Sequence, residues 1–286
     1  MRGRIEAATE LRSVVRTMKA MAASAITGYE RSVEALNDYL ATVEQGLTVG
    51  LRGEPFDLHA TRGETAGPAA VVLFGTDQGL VGRFNDSVVT LFLQQKGDLP
   101  QHARIYVVGE RLRDRMEDAG QAVTASYAVP GSTEAIGPLV GRLLMETGPA
   151  SLHVLYNGPT DRTAHVPVIE RPLPLDEAWM RRMAQRPWPR RCTPEVLGDR
   201  RKVLGALVRE YVFVSVFRAC SASLAAENAS RLAAMQRAER NIGSIRDDLQ
   251  EAYDHLRQEA IDEELFDVVS GSEMLRHKDE HHPPTS

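Results

Sequence analysis

The longest regular pattern of apolar residues lies near the end of the chain, between Thr193 and Leu275. Apolar residues recur there at steps of three and four, which predicts one long helix with a single buried stripe. The clearest part of the stripe is Leu232, Met235, Ala238, Ile242, Ile245, Leu249, Ala252 and Leu256. No proline occurs between Pro194 and Pro283, so no residue type in this stretch forbids a continuous helix. A stripe of this length needs a partner to cover it.

A second stripe of the same kind runs through the beginning of the chain, over residues 1–52. Its members are Leu11, Val15, Met18, Ala22, Ala25, Tyr29, Val33, Leu36, Leu40, Val43 and Leu47. Both stripes contain small residues, at 20–25 and at 219–226, and small side chains let two helices approach closely. We therefore predict that the terminal helices pair as an antiparallel coiled coil. Each stripe alone could also be the buried face of an ordinary core helix.

The pattern changes between the two stripes to short apolar runs. Residues 52–68 are rich in glycine and proline and predict a linker. The runs that predict strands are 69–74, 104–108, 122–127 and 152–156, and the helical segments between them are 84–95, 110–119 and 132–147. This alternation predicts a mainly parallel sheet covered by helices. Residues 166–175 add an edge strand, because their prolines cannot donate in the centre of a sheet.

The predicted fold class is therefore α/β, with a long antiparallel coiled coil of N- and C-terminal helices and a central α/β (Rossmann-like, mainly parallel sheet) domain. The predicted divisions are an N-terminal coiled-coil helix at 1–52, the central domain at 68–178, a C-terminal coiled-coil helix at 193–275 and a disordered tail at 276–286. The tail contains three histidines, but a flexible segment makes a poor metal site.

Composition excludes several classes of protein. An apolar content of 43% is enough for a substantial core. Cys192 and Cys220 are the only cysteines, too few for a disulfide framework or a cysteine metal site, which indicates a reducing compartment. The N-terminal arginines accompany no unbroken apolar block, so we expect no secretory signal. No apolar run is long enough to predict a direct membrane span.

Residues 176–202 are basic and contain Trp179 and Trp188. Arginine interleaved with tryptophan can stack on single-stranded nucleic acid. Three prolines favour a connecting loop instead, and the net charge of −5 argues against a general nucleic-acid binder. The preferred interpretation is a solvated or partner-facing loop, with no nucleic acid among the partners.

One glycine-rich loop follows the first predicted strand, at Gly75 to Asn85, with the sequence G-T-D-Q-G-L-V-G-R-F-N. Phosphates bind at this position in many α/β domains. The spacing matches neither the dinucleotide motif nor the Walker A motif, which favours a structural turn. A nucleotide-binding α/β enzyme with a coiled-coil dimerisation arm is the alternative. The scattered histidines form no catalytic or metal-ligating pattern, and no cofactor is predicted.

Four segments together resemble the gamma subunit of F-type ATP synthases, the central rotor stalk. They are Met18 to Ser24, the loop Gly75 to Asn85, Glu227 to Ile242 and Arg257 to Gly271. The last of these, R-Q-E-A-I-D-E-E-L-F-D-V-V-S-G, is similar to the family's C-terminal ending. The likeness extends from Arg4 to Leu275.

The resemblance implies a non-catalytic subunit whose rotation couples ion flow through a membrane c-ring to ATP synthesis or hydrolysis. The implied partners are three alpha and three beta subunits, an epsilon subunit and the c-ring, at the cytoplasmic face of the bacterial inner membrane. An asymmetric shaft biases each beta subunit through a different set of contacts. Carried over by motif, the subunit-contact residues are Met18, Arg231, Arg257, Gln258 and Glu264.

Several residues depart from the family pattern. Val81 stands where the family usually has cysteine, and the bulky Arg83 follows shortly after it. Asp262, Glu263 and Glu264 add negative charge to the C-terminal motif. We expect this acidic cluster to alter the contacts of the chain with its partners. The departures are typical of a divergent branch, such as an alternative F-type ATPase.

Overall fold

The computed structural model describes residues 1–52, 68–148, 150–160, 165–188, 191–192 and 194–279. Most of the predicted linker at 52–68 lies outside these residues. The chain divides into two compact units. One consists of Met1–Met18 and Met235–Ser286, and the other of Lys19–Ala234.

The two terminal helices are α1, Arg2–Leu51, and a much longer C-terminal helix, Arg200–Asp279. The C-terminal helix begins after the predicted 193, because Asp199 Oδ1 accepts hydrogen bonds from the backbone N–H groups of Arg201 and Lys202, at 2.9 and 3.4 Å. It continues to Asp279, inside the segment predicted as a disordered tail. Residues 280–286 of that segment lie outside the described part of the chain.

The central sheet has five strands in the order β3-β2-β1-β4-β5. The strands are β1 Ala70–Phe74, β2 Arg104–Val108, β3 Ala125–Tyr127, β4 Leu152–Gly158 and β5 Val166–Leu173. The first four are parallel, and β5 pairs with β4 in the antiparallel direction at one edge. The predicted edge strand is therefore observed, with Pro167 paired opposite Asn157.

Helices connect the parallel strands. They are α2 Phe84–Gln95, α3 Glu110–Asp118 and α4 Ile136–Thr147, the last preceded by a short 3₁₀ turn at Thr133–Ala135. Alternate residues of β1 point to opposite faces of the sheet, so Val71 and Leu73 pack with α2 and α3. Val72 and Phe74 belong to the core that contains α4 and the C-terminal helix.

The connecting segment 176–202, predicted as a loop, contains the helix α5, Glu177–Gln185, and this part of the prediction is wrong. Asp176 caps the helix by accepting a hydrogen bond from Ala178 N at 3.1 Å. Trp179, Met180 and Met183 then bury one face of α5 against both terminal helices. The prolines of this segment favoured a loop in the sequence analysis. All of them lie beyond the end of α5, so they do not prevent this short amphipathic helix. The C-terminal helix, Arg200–Asp279, is accordingly α6.

Within the larger unit, α1 and α6 run antiparallel. The Tyr39 hydroxyl donates to Glu210 at 2.9 Å, and Leu204 lies beside Gly50 farther along α1. A Cβ atom on Gly50 would lie 2.5 Å from Leu204 Cδ2, so glycine permits the close approach. Among the described residues, no helix is long and apolar enough to cross a membrane. The predicted fold class, helical terminal segments around a mostly parallel sheet, is confirmed.

Candidate functional surface

In the smaller unit, the first turns of α1 pack against the middle of α6. Val15 and Met235 are buried there, and Arg16 Nε donates to Glu239 Oε1 at 2.7 Å. Farther along α6, every side chain from Asp254 to Phe266 is exposed. Ile245 and Leu256, which belong to the predicted stripe, are exposed as well. The helical periodicity therefore continues beyond the part of α6 that is buried within this unit.

We call residues 254–269 the end segment of α6. Its apolar side chains are exposed to an unusual degree, with 57% of Leu265 and 73% of Phe266 accessible, and the others are Leu256, Ile261, Val268 and Val269. Acidic residues lie between these apolar residues, including the cluster at Asp262 to Glu264. Exposed apolar residues gathered on one helix with charged neighbours are typical of a protein interaction surface.

The predicted contact residues fall into different environments. Arg257, Gln258 and Glu264 are exposed in the end segment, and Met18 is half-buried on α1. Arg231 belongs to the other unit, where only 13% of its side chain is exposed. Three of the five predicted residues therefore share one accessible segment, whereas Arg231 already has a partner within the chain. The contacts of all five residues with other subunits stay predictions.

The partner of Arg231 is Glu227, one turn earlier on α6, at 2.6 Å. The Glu227 side chain is 7% exposed, and its Oε2 atom has no hydrogen-bond partner among the described residues. Burial raises the pKa of Glu227, and the nearby Asp77 adds to this shift, whereas Arg231 opposes it. Removing these two charges from water therefore costs free energy in the larger unit, and their mutual attraction offsets this cost only in part.

The glycine-rich loop packs on α6 close to this pair. Val81 and Phe84 contact Ala226, and Phe84 also meets the ring of His165 edge-on at 5.0 Å. His165 Nδ1 lies 2.8 Å from Ser230 Oγ on α6. Burial lowers the pKa of His165, which favours the neutral ring at this contact.

Inside the loop, polar side chains bond to the domain itself. Thr76 and Asn85 are joined by two hydrogen bonds, of 3.1 and 3.0 Å. Asp77 accepts from Glu110 N at the start of α3 and from Val129 N, at 2.9 and 2.8 Å. A Cβ atom on Gly75 would lie 2.4 Å from Leu112 Cβ. These contacts support the interpretation of the loop as a structural turn.

The basic segment also has internal contacts that the sequence did not reveal. Arg200 donates to the carbonyl oxygens of Gly50 and Arg52, at 2.8 and 2.6 Å, and so caps the C-terminus of α1. Arg186 Nη1 donates to Glu44 on α1 at 2.9 Å. We call the end of α1 and the adjacent start of α6 the base of the helical pair. Arg200 and Arg186 both stabilise it through these contacts.

Sequence reasoning also missed a network between the sheet and α6, formed by Tyr156, Glu170 and Arg218. A signal for it was present, because Arg218 is the only charged residue between Glu210 and Glu227. A single charge in an otherwise apolar and small-residue stretch of helix predicts a specific polar partner.

Comparisons with known proteins agree with this architecture. The family model described as ATP synthase matches residues 1–275. The ATP synthase gamma chain of Nostoc sp. is 26% identical over 310 residues, covering 96% of this chain and 98% of the relative. The gamma chain of Streptomyces avermitilis is 26% identical over 286 residues, covering 95% and 94%.

Solved structures have a similar fold. A chain from the Euglena gracilis mitochondrial ATP synthase, in a structure of OSCP, F1 and c-ring, has a TM-score of 0.64 at 17% identity and covers 100% of this chain and 96% of its own. A chain from the Tetrahymena thermophila central stalk and c-ring has a TM-score of 0.54 at 18% identity, covering 79% and 99%. The match over almost the whole chain places this protein in the ATP synthase gamma-chain family.

Proposed function

We propose that this chain is the central rotor stalk of an F-type ATP synthase, which couples ion flow through a membrane ring to ATP synthesis or hydrolysis at the beta subunits by rotation. The observation that carries the proposal is the match of the family model described as ATP synthase to residues 1–275, together with the similarity to gamma chains over 95–96% of this chain. It covers the end segment of α6 as far as 269, with its exposed apolar side chains, as well as the helical pair and the sheet.

The role proposed for the chain is mechanical. Chemistry takes place on other subunits, and this chain changes their conformational equilibria through contacts that differ from one orientation to the next. The polar side chains of the glycine-rich loop, which was the strongest candidate for a nucleotide site, bond within the domain. The comparisons do not favour the nucleotide-binding alternative.

The proposed partners are three alpha and three beta subunits, an epsilon subunit and the c-ring. Solved structures with a similar fold come from ATP synthase assemblies that contain F1 and the c-ring, which supports these partners. The end segment of α6 is the proposed contact surface for the alpha and beta subunits. The proposed location is peripheral, at the cytoplasmic face of a bacterial inner membrane.

Coexpression with the alpha, beta and epsilon subunits of an F-type ATP synthase from the same organism tests the proposal. The expected product is a complex with one copy of this chain for three beta subunits, measured by native mass spectrometry. In membranes that also contain the ring, ATP hydrolysis by the complex is expected to drive ion movement. A chain that stays monomeric in the presence of these subunits would contradict the proposal.

A further inference from the structure

A polar network joins the sheet to α6. Arg218 on α6 donates from Nη2 to both carboxylate oxygens of Glu170 on β5, at 3.0 Å each. Tyr156 on the adjacent strand β4 donates its hydroxyl to Glu170 Oε1 at 2.7 Å. We call this the 156–170–218 network. It connects two strands and one helix of the larger unit through a single carboxylate.

The surroundings of Arg218 make this network distinctive. The stretch 211–226 of α6 carries no other charged residue. Its buried residues in the sheet core include Val212, Val216, Ala219 and Ala222. Apolar packing stabilises the contact between helix and sheet, but it has little directional preference. Charge-assisted hydrogen bonds have a defined geometry, so they limit how the helix can turn or slide on the sheet.

The network is also partly shielded from water. The side chains of Arg218 and Glu170 are 31% and 28% exposed, and Tyr156 is buried. Burial, followed by the charge of Glu170, raises the pKa of Tyr156, so its hydroxyl remains protonated and available as a donor. Polar contacts in such an environment are stronger than fully exposed ion pairs.

We infer that the 156–170–218 network fixes the angular position of the α/β domain on α6, so that the domain and this part of the helix turn together. The inference rests on the proposed rotor function, since a rotating part must transmit torque across this joint. Arg218 and Glu170 are positioning residues, with Tyr156 as the supporting donor.

The test uses the full complex in ring-containing membranes, with Arg218→Gln and Glu170→Gln as separate variants. Both are expected to assemble and to hydrolyse ATP, while the number of ions moved per ATP falls by about twofold. Arg209→Gln is the matched control, because Arg209 is an exposed arginine on the same helix, and its ratio should not change. Tyr156→Phe should produce a smaller fall, because the ion pair remains.

A charge exchange and a structural measurement separate positioning from simple destabilisation. The double variant Arg218→Glu/Glu170→Arg is expected to recover at least half of the lost ratio. Amide hydrogen exchange in β5 should be about threefold to tenfold faster in Arg218→Gln. Faster exchange with an unchanged ion-to-ATP ratio, or a lowered ratio without recovery in the double variant, would overturn the inference. If the unsubstituted chain fails to assemble, the proposed function fails and the inference fails with it.

Discussion

Glu227 and Arg231 form an ion pair one helical turn apart on α6, and the Glu227 carboxylate is almost completely removed from solvent. Because burial outweighs the attraction of Arg231, the pKa of Glu227 lies above its ordinary value of 4.5. A raised pKa means that the folded chain holds the proton more tightly than the unfolded chain does. The resulting stabilisation is complete below pH 4.5 and is lost as the pH rises through the folded-state pKa.

Glutamine does not titrate, so Glu227→Gln should remove the loss of stability that residue 227 causes between pH 4.5 and neutral pH. The free energy of unfolding at neutral pH should therefore be higher in the variant than in the unsubstituted chain. Denaturant unfolding of the isolated chain across this range measures both effects. Glu34→Gln, which changes an exposed carboxylate on α1, should leave the pH dependence unchanged. Lower stability of Glu227→Gln at neutral pH would show that the attraction of Arg231 outweighs burial.

The exposed apolar residues of the end segment should matter for assembly and not for the fold. Leu265→Ser and Phe266→Ser are expected to change the free energy of unfolding of the isolated chain by less than about 0.5 kcal/mol. Both should weaken binding to the alpha–beta complex, measured by titration with labelled chain. Leu197→Ser is the control, because Leu197 is also exposed but lies outside the end segment. Equal affinity of all three variants would argue against the end segment as the contact surface.

Arg257→Ala and Gln258→Ala should lower the coupled ATPase activity of the assembled complex without preventing assembly. The expected reduction is about threefold to tenfold, since a polar contact at an interface contributes on the order of 1 kcal/mol. Steady-state hydrolysis together with native gels provides the measurement. Arg240→Ala is the control, an exposed arginine earlier on α6. Unchanged turnover in the double variant would show that these two residues make no functional contact.

Arg200→Ala should destabilise the base of the helical pair, because it removes the donor to the carbonyl oxygens of Gly50 and Arg52. The expected cost is about 1–3 kcal/mol in the free energy of unfolding. Amide exchange should increase in the last turn of α1. The neighbouring substitution Arg201→Ala, at an exposed position, should have little effect. Equal stability of the two variants would mean that the cap contributes nothing measurable.

Gly75→Ala should be destabilising by about 1–3 kcal/mol, because the added methyl group would overlap Leu112. Gly79→Ala, in the same loop, meets no atom within 4 Å and is the matched control. Thermal unfolding of the isolated variants distinguishes the two. Similar melting temperatures would indicate that α3 can move away from the loop at little cost.

Local patterns in the sequence were enough for most elements of the fold. The bounds of α2, Phe84–Gln95, were predicted to the residue, and β2 likewise, because each is a regular apolar pattern between clear breaks. The α5 helix was missed because nearby prolines and arginines dominated a short stripe whose burial depends on α1 and α6. Tertiary contacts of this kind have no local signature.

The candidate site was predicted less completely than the fold. Motif resemblance predicts Arg257, Gln258 and Glu264 as contact residues, and all three are exposed in the end segment of α6. Their contacts with other subunits stay predictions. The raised pKa of Glu227 results from its burial and, to a smaller extent, from the charge of Asp77, which lies far away in the sequence. Periodicity likewise could not indicate where along α6 the burial of its apolar stripe ends, because the same spacing continues past that point.

The exposure of the end segment also places a demand on its amino-acid composition. Among the described residues of the smaller unit, no other helix buries the side chains of the end segment, so the helical conformation of this segment depends on its own residues. Side-chain pairs one turn apart contribute, such as Gln250 with Asp254 at 3.0 Å and His255 with Glu259 at 3.3 Å. A glycine introduced there would cost about 1 kcal/mol with no core contacts to offset it. Helix propensity, and not only complementarity to a partner, therefore restricts which substitutions this part of the chain can accept.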